Sequence, residues 1–207
     1  MPKIVDHDAR RAELAAAVWR LASRDGLDGV TTRRVAAEAG WSTGSLAHYF
    51  ADKEELILFA FETVADRVGR RVLRAAEHTR DPLELVRSQL VEGLPLDAER
   101  RAEVRVWFAF LGLALTRPRL AQAGREAYRV WRGRIAKTLA AGQRDSLIDD
   151  SLDCEREAAE LVALVDGLAI QASFEPRAAT KDRQLELLDD RLAALRAPAA
   201  THGSRNR

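Results

Sequence analysis

Apolar residues in this 207-residue chain recur every three to four positions almost from end to end, and no run alternates β-branched with polar residues. That spacing builds helices and leaves no stretch that reads as a strand. The abundance of Ala, Leu, Arg and Glu acts in the same direction, because these residues carry high helix propensity. Breaks in the pattern supply the boundaries. Residues 8–25 place Leu14, Val18, Leu21 and Ala22 on one face, with Gly26 as the stop. Thr31 or Thr32 caps a short helix ending near Ala39, Gly40 breaks it, and Ser42 or Thr43 opens a segment through Phe50. Asp52 caps a longer helix from Lys53 to about His78, and Asp81-Pro82 starts another that ends near Gly93–Pro95. Residues 98–115 begin charged and turn apolar all round at Val106 to Leu111, which predicts burial on every side. Pro118 opens a segment to about Gln143, Asp153 caps a helix reaching Phe174, and the last helix covers roughly 180–196. The expectation is an all-α chain of about nine helices, with a disordered tail at 197–207.

The lone Cys154 cannot close an intramolecular disulfide, so a reducing compartment fits. The uncharged apolar run Val106 to Thr116 has 11 residues and is too short to cross a bilayer. The N-terminus MPKIVDHDARR lacks the apolar stretch of a signal peptide. A cytoplasmic location without a membrane partner is expected. Enzyme chemistry finds no support either. His7, His48, His78 and His202 form no metal spacing, Cys154 has no histidine nearby, and there is no glycine-rich phosphate loop or nucleophile elbow. No metal, cofactor or catalytic residue is expected.

Residues 31–50, TTRRVAAEAGWSTGSLAHYF, lay out a capped short helix, a glycine turn and a second short helix. Small hydroxyl side chains and one imidazole, at Ser42, Thr43, Ser45 and His48, crowd the second helix beside Gly44, where they can approach base edges closely. The stretch 31–56, with its aromatic pair Tyr49-Phe50 and the following Lys-Glu-Glu-Leu, resembles the DNA-binding signature of the TetR family. The likeness covers about residues 8–60. More loosely, the MPK start, Trp107 to Phe110 and Leu164 to Leu168 resemble the branch containing the choline-sensing betaine-pathway repressor.

That resemblance implies a ligand-responsive repressor, a homodimer on a palindromic double-stranded DNA operator, in a bacterial cytoplasm. It divides the chain into a helix-turn-helix domain at 1–52 and a ligand-binding and dimerisation domain at 53–196. Thr43, Ser45 and His48 would face the major groove, while Thr31, Thr32, Arg33, Tyr49 and Lys53 would contact or align phosphates. Trp41 stands where a smaller aliphatic is usual, and either touches sugar or a thymine methyl or simply packs. Charge weighs against DNA: residues 1–55 hold eight Lys/Arg against nine Asp/Glu, although a nucleic-acid contact face is normally basic. The alternative is an architectural helix-turn-helix protein without a ligand.

In the larger domain, Leu185, Leu188, Leu192 and Leu195 form a narrow apolar seam. They pack either on the chain's own core or, as the resemblance implies, in a four-helix dimer interface with helix 153–174, where Gly167 would admit a close partner. Trp107, Phe110, Tyr128, Trp131 and Phe174 make an aromatic group that is either core or ligand cage. Asp166 is the exception inside the apolar run Leu161 to Phe174. A buried carboxylate needs a partner, whether an arginine, a cross-dimer hydrogen bond or a cationic ligand. The expected inducer is an organic cation or an apolar compound.

Overall fold

The caps read from the sequence are the caps the chain uses. The computed structural model describes residues 7–197, and among these lie nine α-helices and no strand beyond one isolated bridge between Ile148 and Arg196. Helix α1 (His7–Asp25) stops at Gly26, where a φ of 69° puts the backbone in a region that glycine enters without strain. A 3-10 turn, Leu27–Gly29, leads to α2 (Thr32–Ala39), whose N-terminus is capped by the Thr31 hydroxyl accepting from the Arg34 N–H. Gly40 ends α2 in the left-handed region at φ 72°. Helix α3 (Thr43–Ala47) is shorter than predicted, because the Tyr49 and Phe50 N–H groups both turn back to the Leu46 carbonyl.

Helix α4 (Lys53–Ala76) starts on Asp52, α5 (Pro82–Leu90) on Asp81 and α6 (Ala98–Ala114) on Asp97. Pro118 stands at the first position of α7 (Pro118–Arg144), Asp153 caps α8 (Cys154–Phe174) and Thr180 caps α9 (Lys181–Ala193). A side-chain cap typically contributes about 1 kcal/mol by satisfying an otherwise orphaned N–H.

Two apolar cores result. The first joins α1–α4 to Val106, Phe110 and Ala114 of α6 and Leu120 of α7. It runs without a break across position 52, so α4 packs with the N-terminal helices and with the larger domain at once. The second core holds α5, α7, α8 and α9.

Two further expectations change. Leu188, Leu192 and Leu195 lie in the second core with at most 4% of their surface exposed, so within one chain they have no face to offer a partner. Leu185 is half-buried. The ladder records packing of α9 on its own domain. Helix α6 is not buried on every side: Phe108 is half-buried, Ala109 and Gly112 are exposed, and Leu115 just beyond is 88% exposed. A three-sided apolar helix at the edge of the core has only two sides to bury. The predicted tail, apart from Ala197, lies outside the described residues.

Candidate functional site

Among the residues of α3, only Leu46 points into the core. Thr43, Gly44, Ser45, Ala47 and His48 are exposed together, so the one turn of helix presents its small polar edge outward. The Ser42 hydroxyl accepts from the Ser45 N–H at 3.0 Å and lies 2.8 Å from the Ser45 hydroxyl, which fixes both rotamers. Thr31 and Ser42 thus have a local structural duty, while Thr43, Ser45 and His48 remain accessible. A methyl group on Gly44 would meet nothing closer than 3.9 Å, so the fold itself does not require glycine there. Trp41 and Tyr49 meet edge-on at 5.3 Å, both half-buried against the first core. Thr32 opens α2 half-buried, and Arg33 and Lys53, the second residue of α2 and the first of α4, are exposed.

The predicted ligand group separates into four places. Trp107, Tyr128 and Asp166 come together. The Tyr128 hydroxyl donates to Asp166 Oδ2 at 2.6 Å, and the Trp107 indole beside it also favours the ionised carboxylate. Trp107 and Tyr128 touch edge-on at 5.2 Å. Burial pushes the Asp166 carboxyl above its usual range despite these two neighbours, and burial followed by the Asp166 hydrogen bond pushes the Tyr128 phenol up. The Arg132 guanidinium stands 5.7 Å from the Tyr128 ring centroid, but among the described residues no cation pairs with Asp166 itself.

Trp131 packs instead at Gly93, where an added methyl would fall 2.7 Å from Val165 and 3.1 Å from the indole. Phe110 is fully buried and stacks on Phe61 at 4.0 Å. Phe174 is 80% exposed and lines a different cleft of about 520 Å³, between the α1–α2 turn (Leu27, Asp28) and α6 (Phe108, Gly112). Phe110 and Phe174 are therefore not part of the Asp166 cluster.

Phe61 on α4 is the residue that sequence reasoning missed. It stacks against Trp107 at 5.6 Å as well as against Phe110. An unbroken line of contact therefore runs from Asp166 on α8 through Tyr128 on α7 and Trp107 on α6 to α4. Helix periodicity marks Phe61 as inward-facing, but only the fold shows which ring it meets.

Two further links join the larger domain to the reader. Arg119 at the start of α7 reaches Asp52, the cap of α4, at 2.7 Å; the Glu55 N–H and Arg119 hold that carboxyl below its usual range. Arg105 on α6 donates to the Ser23 carbonyl of α1 at 2.9 Å. One turn from Trp107, a buried acid pair forms a separate network. Glu103 and Glu92 accept from Arg71 on α4, Glu92 also accepts from Arg100, and Arg67 reaches Glu99 while covering the Trp19 ring of α1 at 4.4 Å.

Comparison with known proteins places these features. Residues 14–59 match the family described as bacterial regulatory proteins, tetR family, and residues 82–197 match the BetI-type transcriptional repressor C-terminal family. The chain is 36% identical over 183 residues, 88% of each protein, to the HTH-type transcriptional regulator PksA of Bacillus subtilis (strain 168). A transcriptional regulator from Rhodococcus sp. Rha1 superposes with a TM-score of 0.76 at 31% identity, covering 89% of this chain and 95% of that one. A putative transcriptional regulator from Saccharomonospora viridis, solved in complex with choline, superposes with a TM-score of 0.79 at 26% identity, covering 92% and 99%.

Proposed function

The chain belongs to the TetR family of bacterial transcriptional regulators, with a BetI-type C-terminal domain, and from that premise we propose a dimeric repressor that a small organic cation releases from its operator. The observation that carries the ligand half is one carboxylate. Asp166 is half-buried, ringed by Trp107 and Tyr128, and has no pairing cation among the described residues. An ionised carboxylate in such a setting invites a positive charge, and aromatic faces add about 0.5–2 kcal/mol of cation–π attraction. The choline complex of the Saccharomonospora viridis protein supports the same ligand class.

For the DNA half, Thr43, Ser45 and His48 read base edges from α3, and Arg33 and Lys53 hold phosphates. The dimer forms on the exposed face of α8. Ala159, Ala163, Gly167, Ile170 and Phe174 fall on one side of that helix, and Gly167 has open space where a side chain would stand. This face replaces the buried leucine ladder as the seam.

Two recognition helices must lie about 34–36 Å apart to enter successive major grooves. A cation drawn to Asp166 shifts Tyr128 and Trp107, Trp107 presses on Phe61, and α4 carries the displacement to the reader. Operator affinity then falls by a coupling energy of about 1–3 kcal/mol, and operator weakens the cation by the same factor. Calorimetry with choline and with spermidine, with and without an operator duplex selected by the protein, tests this. Heat from choline that diminishes in the presence of operator is expected. No heat from either cation, together with binding of an uncharged apolar compound, would leave Asp166 as a structural residue and overturn the cationic reading.

A further inference from the structure

Residues 9–55 contain seven basic side chains: Arg10, Arg11, Arg20, Arg24, Arg33, Arg34 and Lys53. Four are paired with carboxylates within the chain, two of them on a single aspartate. Arg11 lies 3.4 Å from Glu62, Arg20 lies 2.6 Å from Glu38, and Arg24 and Arg34 share Asp25. Among the described residues Arg10, Arg33 and Lys53 have no carboxylate at ion-pair distance. Arg33 and Lys53 stand at the starts of α2 and α4, where phosphate contact is already proposed. Arg10 belongs to the first turns of α1, far from them in sequence.

The fold brings it to the turn just before α3. The Arg10 guanidinium lies 5.3 Å from the centre of the Trp41 ring. Trp41 is the residue just before the Ser42 cap of α3, anchored by its N–H to the Ala36 carbonyl at 2.8 Å and braced edge-on by Tyr49. Arg11 also covers a ring, that of Phe59 at 5.0 Å, but its charge is answered by Glu62. The difference matters. A carboxylate partner cancels a cation, whereas an aromatic face orients it and leaves its charge and edge donors available. A guanidinium already held in position loses less rotamer freedom when it meets a phosphate.

We propose that Arg10 is a third phosphate-contacting cation of the DNA reader and that Trp41 is its positioning residue, a stacking platform beside the recognition helix. This rests on reading residues 31–53 as the DNA-contacting segment. It also answers the charge balance: acidic residues outnumber basic ones by count, yet Arg10, Arg33 and Lys53 have no carboxylate partner among the described residues and remain available to phosphates.

The test uses the full chain and two fluorescein-labelled duplexes, one enriched by the parent protein from a randomised library and one of mixed sequence, titrated across salt. Arg10→Ala is expected to weaken both duplexes by a similar severalfold factor. It should also flatten the slope of log affinity against log salt by about 0.9 for each phosphate that is no longer neutralised. Arg10→Lys should keep most of the slope. Trp41→Ala should reproduce the Arg10→Ala slope, Trp41→Phe should retain the parent's, and the double Ala variant should be no worse than either single one. A parent-like slope in Arg10→Ala overturns the inference, as does a Trp41→Phe variant that alters which sequences are preferred while keeping the slope. A parent protein that binds neither duplex overturns the DNA reading itself, and the inference with it. Arg10 is exposed on a helix, so Arg10→Ala should keep the parent's melting temperature, and a merely structural role would lower that temperature without moving the slope.

Discussion

Two inward-facing acid clusters sit one helical turn apart on α6, around Glu103 and around Trp107, and they solve the same electrostatic problem in opposite ways. Glu103 is 3% exposed, and with Glu92 it is answered by Arg71, Arg67 and Arg100. Among the described residues Asp166 is answered by no guanidinium or amine, only by the Tyr128 phenol with the Trp107 indole beside it. Burial raises both the Glu103 and the Asp166 carboxyl, but only Glu103 is pulled back by a neighbouring guanidinium. Burial of a carboxylate alone therefore does not single out Asp166; the missing counter-charge does. The charged network is a clamp between α4 and α6, and the other holds a carboxylate without a counter-charge among the described residues, which is where the proposed ligand cation would sit.

Removing one partner from each cluster should separate them most sharply. Arg71→Ala strands Glu103 and Glu92 and is expected to destabilise the fold by about 3–5 kcal/mol, seen as a lower urea midpoint. The double change Arg71→Met with Glu103→Leu should recover much of that deficit, and failure to recover would mean that the clamp is more than a matched pair. Asp166→Asn should leave the urea midpoint near the parent's or raise it, because it removes a charge that the fold does not neutralise. It should weaken choline by about 2 kcal/mol or more, roughly thirtyfold, by calorimetry. A large drop in stability for Asp166→Asn would make the two clusters alike.

Proton competition gives a smaller and graded effect. Asp166 has its pKa raised by burial, so the stability carried by its neutral form is complete below the unfolded value near 3.9 and is lost as pH rises through the folded value. Cation affinity runs the other way. It should rise up to about tenfold per pH unit below that folded value and level off above it, with the trend absent in Asp166→Asn. Phe61→Leu should leave choline binding within about twofold while reducing the 1–3 kcal/mol coupling between choline and operator. Equal coupling in this variant would remove Phe61 from the route. Arg119→Ala breaks an exposed pair with Asp52 that water and salt already screen, so it should shift the urea midpoint least of all these changes.

The two clusters were also unequally legible. Asp166 announces itself because it interrupts an apolar run, and an interruption can be seen in one dimension. Glu103 sits in AERRAEVRV, among charges that read as a solvated helix start, and nothing local distinguishes the glutamate that turns inward. Caps at Thr31, Ser42, Asp52, Asp81 and Asp153 were readable for a related reason: the residue and the N–H groups it satisfies lie within three positions of each other. The leucine ladder shows the limit. Its spacing established that one face of α9 is covered, but a period carries no information on whether the cover comes from the same chain. Phe61 and Trp107 are 46 positions apart, and Arg10 and Trp41 are brought together only by packing of α1 on the turn before α3. Such pairings belong to tertiary structure and have no local signature.

The internal pairing of Arg11, Arg20, Arg24 and Arg34 has a consequence at the scale of the chromosome. Sequence-blind attraction to DNA comes from uncommitted cations, and a bacterial chromosome offers on the order of 10⁶ competing sites for every operator. With three such cations among the described residues of each proposed DNA reader, the repressor proposed above would leave few molecules sequestered on bulk DNA at any moment. A small number of dimers per cell would then keep one operator occupied, with an occupancy that follows the inducer rather than the amount of protein made.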